Sequence, residues 1–211
     1  MIAFWIVMVA LVAALLYVLA AESRRRLEWL FKPAAALTFI VAGAYACPWT
    51  QAWHVALFVG LLFAAGGDVL LIPKSDRAFL GGLVSFLLGH VAYAVAFALR
   101  GLALDWLAVG AVAVVIAAVP VLRWLWPNVL GRMRGPVAAY IAVITAMVAL
   151  AVGTYGARAN VWLLGGAIGF YLSDLAVARD RFVQKSFTNR AWGLPLYFGA
   201  QLALATGMLE P

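Results

Sequence analysis

The sequence predicts an all-α polytopic membrane protein, a bundle of eight transmembrane helices. Three observations predict it. Of the 211 residues, 67% are hydrophobic and only 11% are charged, against about 45–50% and about 25% in an ordinary soluble domain. A soluble domain of this size would lack the polar surface to cover itself. The apolar residues also fall into eight runs, each close to the ~20 residues that a helix needs to cross roughly 30 Å of hydrocarbon. Finally, the basic residues collect in alternate gaps between those runs.

The runs are residues 1–21, 31–49, 52–72, 79–99, 102–120, 136–154, 159–178 and 190–209. The first lacks the basic n-region of a secretory signal peptide, so a spanning helix is expected there. The second is short and flanked by Lys32, Pro33 and Pro48. The third ends in small residues and an acid, Ala64 to Asp68. The fourth contains His90. The fifth either stops near Pro120 or continues to Trp126, and the gap after it, about residues 121–135, reads as a loop because it holds Pro127, Asn128, Gly131 and Gly135. The sixth run follows that gap. The seventh carries Gly165, Gly169 and Ser173 at four-residue spacing, a stripe that lets helices approach closely. The eighth places Arg190, Leu194, Tyr197 and Gln201 along one face. Trp53, Trp106, Trp162 and Trp192, near run ends, read as interface anchors. The whole chain, 1–211, reads as a single transmembrane domain with no soluble domain.

Thirteen of the fifteen basic residues lie in or beside odd-numbered gaps: Arg24, Arg25, Arg26 and Lys32; Lys74 and Arg77; Arg123, Arg132 and Arg134; Arg179, Arg181, Lys185 and Arg190. Only Arg100 and Arg158 fall on the other side. The positive-inside rule then puts odd gaps in the cytoplasm and both termini on the non-cytoplasmic side. This topology also accounts for the formal charge of +7. No nucleic-acid motif accompanies it, so no nucleic-acid partner is expected. Cys47 is the only cysteine, which excludes an intrachain disulfide. The chain has no phosphate-binding P-loop and no Gly-x-Ser-x-Gly elbow, so ATP-driven transport and serine-hydrolase chemistry lose support.

Ionisable groups inside apolar runs are costly and normally face protein or water. Asp68 sits about one turn, roughly 6 Å, inside its helix end. It is either a functional carboxylate or a helix-end group paired with Lys74. Asp174 lies at a similar depth in the seventh run. Both helices run toward the cytoplasm, so the two carboxylates can share one cavity, or each can belong to a separate salt bridge, with Lys32 or Arg190 as partners. Close carboxylates share a proton because like charges resist joint ionisation. His90 lies near mid-membrane on one face with Phe86, Tyr93 and Phe97. It is either a histidine bonded to a carbonyl or a catalytic or substrate-contacting group. His54, at the far end of the third run, reads as interfacial, and two separated histidines make a zinc cluster a poor reading. Lys32 and Arg190 are phosphate-binding candidates or plain positive-inside anchors. Tyr197 and Gln201 need polar partners at their depth. Tyr140 and Asn189 are further candidates for a polar pocket rim. A faint similarity between the Ala64–Asp68 and Gly165–Asp174 stretches hints at an internal repeat, a feature of transporters.

Four segments carry a resemblance: LLFAAGGDVLL at 61–71, FLGGLVSFLLGHVAY at 79–93, GFYLSD at 169–174 and PLYFGAQ at 195–201. In this order and spacing, over nearly the whole chain, the sequence resembles the YhhN family of integral membrane proteins, which includes lysoplasmalogenases. The resemblance implies hydrolysis of the vinyl ether of a lysophospholipid to a fatty aldehyde and a glycerophospho-alcohol, with no metal or organic cofactor. It implies a multi-pass protein of a bacterial inner membrane, whose partners are the lysophospholipid substrate and membrane lipids. Depth and charge suit that chemistry: Asp68, Asp174 and His90 are expected in the catalytic group, and Lys32, Phe86, Tyr93, Phe97, Tyr140, Asn189, Arg190, Tyr197 and Gln201 around the substrate. Two other classes stay open: a transporter of a lipid or small molecule, which predicts flux without product, and a lysolipid-binding protein that does no chemistry.

Overall fold

Long apolar runs joined by short gaps send each helix back across the membrane, so sequence neighbours run antiparallel. The computed structural model, which describes residues 1–21 and 26–210, has this form. Its eight α-helices among the described residues are α1 (Ile2–Ala20), α2 (Glu28–Ala46), α3 (Ala52–Leu70), α4 (Asp76–Arg100), α5 (Leu104–Leu125), α6 (Gly131–Ala157), α7 (Val161–Ala178) and α8 (Phe187–Gly207). Arg24 and Arg25 of the first gap lie outside the described residues. Over 121–135, where the sequence predicts a loop, α5 continues through Pro120 to Leu125, a 3-10 turn covers Trp126–Asn128, and α6 already begins at Gly131. A π turn, Arg179–Val183, extends α7.

The chain is a multi-pass helical membrane protein: α1 to α7 are each long and apolar enough to cross a bilayer. The expected eighth span, α8, is not among those seven. Its composition explains this, because Thr188, Asn189, Arg190, Gln201 and Thr206 interrupt its apolar residues. Those groups are tolerable because α8 is wrapped by protein. Twelve of its 21 residues are buried, and it packs on α7, α2, α1 and α3. The other helices pack α1 on α2, α2 on α3, α3 on α4, α4 on α6 and α6 on α7, while α5 rests chiefly on the outer side of α6.

Small residues let these backbones close up. Along α3 and α4, Gly89 sits under the Gly60 carbonyl, and the Ser85 hydroxyl donates to the Phe63 carbonyl at 2.7 Å. Along α7 and α8 the expected stripe holds at Gly169 and fails at Gly165. A Cβ placed on Gly165 would meet nothing within 4 Å, whereas Gly166 lies against Leu204 and Gly169 against Ala200. Gly60 faces the Tyr93 ring so closely that any Cβ would overlap it. Gly60→Ala is therefore expected to destabilise by about 1–3 kcal/mol through overpacking, although alanine is the better helix former by about 1 kcal/mol. Gly165→Ala should keep or raise stability. Thermal midpoints of the two variants in detergent check the contrast.

The end of the bundle bearing the even-numbered gaps is tied shut. Arg100 Nη1 donates to the Arg158 carbonyl at 2.9 Å, and Asn160 Nδ2 donates to the Gly207 carbonyl at 2.9 Å. His54 is buried there rather than interfacial, stacked on Trp53 at 3.5 Å with Nε2 3.2 Å from the Met208 carbonyl.

Candidate active site

The opposite end of the bundle is open. A cavity of about 520 Å³ enters between the helix ends that border the odd-numbered gaps. Leu15, Leu83, Phe86 and Ile144 give it apolar walls, and both Asp68 and Asp174 open into it.

Asp68 comes from the last turn of α3 and is 2% exposed. Lys32, from the second turn of α2, places its Nζ 3.4 Å from Asp68 Oδ1. The Tyr197 hydroxyl, from the middle of α8, donates to Asp68 Oδ2 at 2.7 Å and also lies 3.3 Å from the Ala64 carbonyl. Of the two lysines that the sequence offers as partners, Lys32 is the one beside Asp68, because the start of α2 and the end of α3 meet at the same end of the bundle. An ammonium and a carboxylate buried together offset each other's desolvation only when hydrogen bonds complete the pair, and the tyrosine supplies one.

Asp174 sits about one turn before the end of α7 and has different partners. The Tyr140 hydroxyl, from α6, donates to its Oδ2 at 2.7 Å. His90 Nε2, from α4, approaches the same oxygen at 3.6 Å. His90 is fully buried one layer behind the cavity wall. Its Nδ1 lies 2.7 Å from the Phe86 carbonyl. A carbonyl only accepts, so Nδ1 carries the hydrogen, and in the neutral ring Nε2 presents a lone pair toward Asp174. The ring stacks on Phe170 at 4.2 Å and meets Tyr140 edge-on at 5.2 Å. Phe86, Phe170 and Tyr197 form an aromatic wall with centroids 5.4 to 5.9 Å apart. Each carboxylate thus has its own set of partners within one cavity.

The other candidate residues divide by depth. Phe86, Tyr140, Asn189, Arg190 and Tyr197 line the cavity with Lys32. Arg190 lies 3.8 Å from Asp180 Oδ2. Asn189 Nδ2 donates to Asp180 Oδ1 at 3.1 Å and to the Gln184 carbonyl at 2.7 Å, which secures the turn before α8. Tyr93, Phe97 and Gln201 are buried beyond the cavity walls, where the Tyr93 hydroxyl donates to Gln201 Oε1 at 2.6 Å. Glu28, Arg181 and Lys185 also line the cavity, and the sequence does not mark them as site residues. Charged residues in gaps carry no signal that separates a cavity rim from an ordinary loop.

A sequence model of the YhhN family matches residues 27–208. The chain belongs to the YhhN family. Its relatives include the lysoplasmalogenase TMEM86A of Bos taurus, 31% identical over 194 residues that cover 86% of this chain and 73% of that protein. The Homo sapiens TMEM86A lysoplasmalogenase is 32% identical over 190 residues, with the same coverage of 86% and 73%. A Mycobacterium tuberculosis lysoplasmalogenase is 32% identical over 160 residues, covering 72% of this chain and 59% of that protein. No solved structure matches the chain. The YhhN match spans every helix that contributes a carboxylate, tyrosine or histidine to the site.

Proposed function

We propose that this YhhN chain is a lysoplasmalogenase-type hydrolase that cleaves the vinyl ether of a lysophospholipid inside the membrane by acid–base chemistry. The observation that carries the reading is one cavity, apolar along its walls, into which two carboxyl groups open from α3 and α7. Vinyl ethers resist base and open under acid. The slow step protonates the outer vinyl carbon and leaves a cation next to the ether oxygen. Water adds to the cationic carbon and loses a proton. The resulting hemiacetal collapses to a fatty aldehyde, and the glycerol oxygen departs with a hydrogen.

This sequence of steps needs one proton carrier and one fixed negative charge beside the developing cation. Asp68, beside the Lys32 ammonium, is suited to the second role. Asp174, flanked by the Tyr140 hydroxyl and the His90 ring with no lysine or arginine paired to it among the described residues, is suited to the first. His90 serves as a positioning residue behind Asp174. Phe86 borders the lipid tail, and Tyr93, Phe97 and Gln201 limit its depth. The tied far end favours a one-ended pocket over a transport path. In this reading α8 crosses as an eighth span, since its 21 residues cover about 31 Å. The basic, open end faces the cytoplasm of a bacterial inner membrane, and both termini lie outside it.

The test is product formation. Purified protein in mild detergent, given lysoplasmenylethanolamine, is expected to release fatty aldehyde and glycerophosphoethanolamine in equal amounts, measured by mass spectrometry. Folded protein that yields neither would remove the reading and bring transport and simple binding forward.

A further inference from the structure

The geometry assigns a phosphate-binding rim at the cavity mouth to Lys74, Arg181 and Lys185, a site for the phosphodiester of a lipid headgroup. The assignment rests on the hydrolase reading for the kind of lipid, and on the cavity itself for the site.

Among the described residues five cationic side chains line the cavity: Lys32, Lys74, Arg181, Lys185 and Arg190. Two of them each have a carboxylate of their own. Lys32 is deep and pairs with Asp68, so a phosphate drawn to it would have to displace a buried carboxylate. Arg190 faces Asp180, whose oxygens also receive Asn189 Nδ2 and the Ser186 amide.

The remaining three occupy the mouth. Arg181 Nη2 pairs with Asp76 Oδ1, while Arg132 Nη2 lies 2.9 Å from Asp76 Oδ2. One carboxylate shared by two guanidiniums leaves one positive charge unbalanced. The Arg181 guanidinium also lies over the Phe79 ring at 4.3 Å, which holds it flat at the rim. Lys74 stands two positions before Asp76 and Lys185 four after Arg181, and both line the same cavity as Arg181. Among the described residues neither lysine has an ion-pair partner, and the acidic side chains that line the cavity with them are Glu28, Asp68, Asp174 and Asp180.

The spacing suits one molecule held at two points. Arg181 follows Asp174 by seven positions, about 10 Å along a helix. A phosphodiester lies roughly 6 Å from the ether oxygen at ordinary bond lengths, and the long side chains of the rim cover the difference by reaching back. Arginine and lysine together are the usual pair for a phosphate, the one a flat fork and the other a mobile point charge.

A non-cleavable probe separates this assignment from the hydrolase reading. Binding of 1-O-alkyl lysophospholipid to the full chain in maltoside detergent is compared between wild type and Lys74→Glu/Lys185→Glu. The rim predicts at least tenfold weaker binding in the double variant, no change for headgroup-free 1-O-alkylglycerol, and weakening of wild-type binding with added salt. The neutral Lys74→Ala/Lys185→Ala variant, with an unchanged gel-filtration profile, should show an intermediate loss. Unchanged lysophospholipid binding, or an equal loss for alkylglycerol, would overturn the rim. Inorganic phosphate displacing the probe at equal concentration would overturn the lipid headgroup as its ligand. Absence of aldehyde in the product assay with this binding pattern intact would count against the chemistry alone.

Discussion

Asp174→Asn is expected to fold as the wild type does and to release aldehyde at least about 100-fold more slowly, the usual scale for loss of a general acid. The amide has the shape of the carboxyl and keeps an oxygen to accept from the Tyr140 hydroxyl, which in the wild type bonds Asp174 Oδ2 at 2.7 Å. It has no proton to give to carbon. Among the described residues no lysine or arginine pairs with Asp174, so its neutralisation strands no charge there. Lost turnover can therefore be read as lost chemistry, provided that the thermal midpoint in detergent stays in place. Full activity in this variant would remove Asp174 from the reaction.

The second large effect is on stability and concerns Lys32. Lys32→Met leaves Asp68, only 2% exposed, without its counter-ion. Breaking a buried pair from one side costs about 3–5 kcal/mol. Asp68→Asn alone makes the complementary error and strands the ammonium. The double variant Lys32→Met/Asp68→Asn removes both charges, and its new side-chain amide still accepts from the Tyr197 hydroxyl. It is expected to recover most of the stability and none of the aldehyde release. Thermal midpoints of the four proteins in detergent, with product assays on each, form the cycle. Additive losses of stability in the double variant would show that the two side chains act independently.

Much of this architecture is legible in advance because hydropathy is written along the chain one residue at a time. The eight helices lie where the apolar runs lie, within a few positions at most ends. Asp68 and Asp174 stand out because a carboxylate in an apolar run is costly, and both open into the cavity. What depends on three-dimensional neighbours is less legible. The Asp68 partner comes from α2, across the bundle, and nothing local distinguishes Lys32 from Lys74. The α7 stripe runs through Gly166 instead of Gly165, because one residue turns a helix by about 100°. His90, Tyr93 and Phe97 share a face of α4, as periodicity indicates, but periodicity says nothing of where along that face the cavity ends.

The enclosure of α8 also bears on how the chain is made. Of the eight helices, α8 follows the other seven in the chain and is the one whose composition falls short of theirs, so it gains least from meeting lipid alone. Its binding partners, α1, α2, α3 and α7, are all synthesised before it. Placement of α8 is thus a docking step onto protein surfaces made earlier, and it brings Tyr197 to Asp68. Until that step the carboxylate lacks its tyrosine. Docking of α8 and completion of the pocket become one event, because Asn189, Arg190 and Tyr197 join the pocket lining only with that helix.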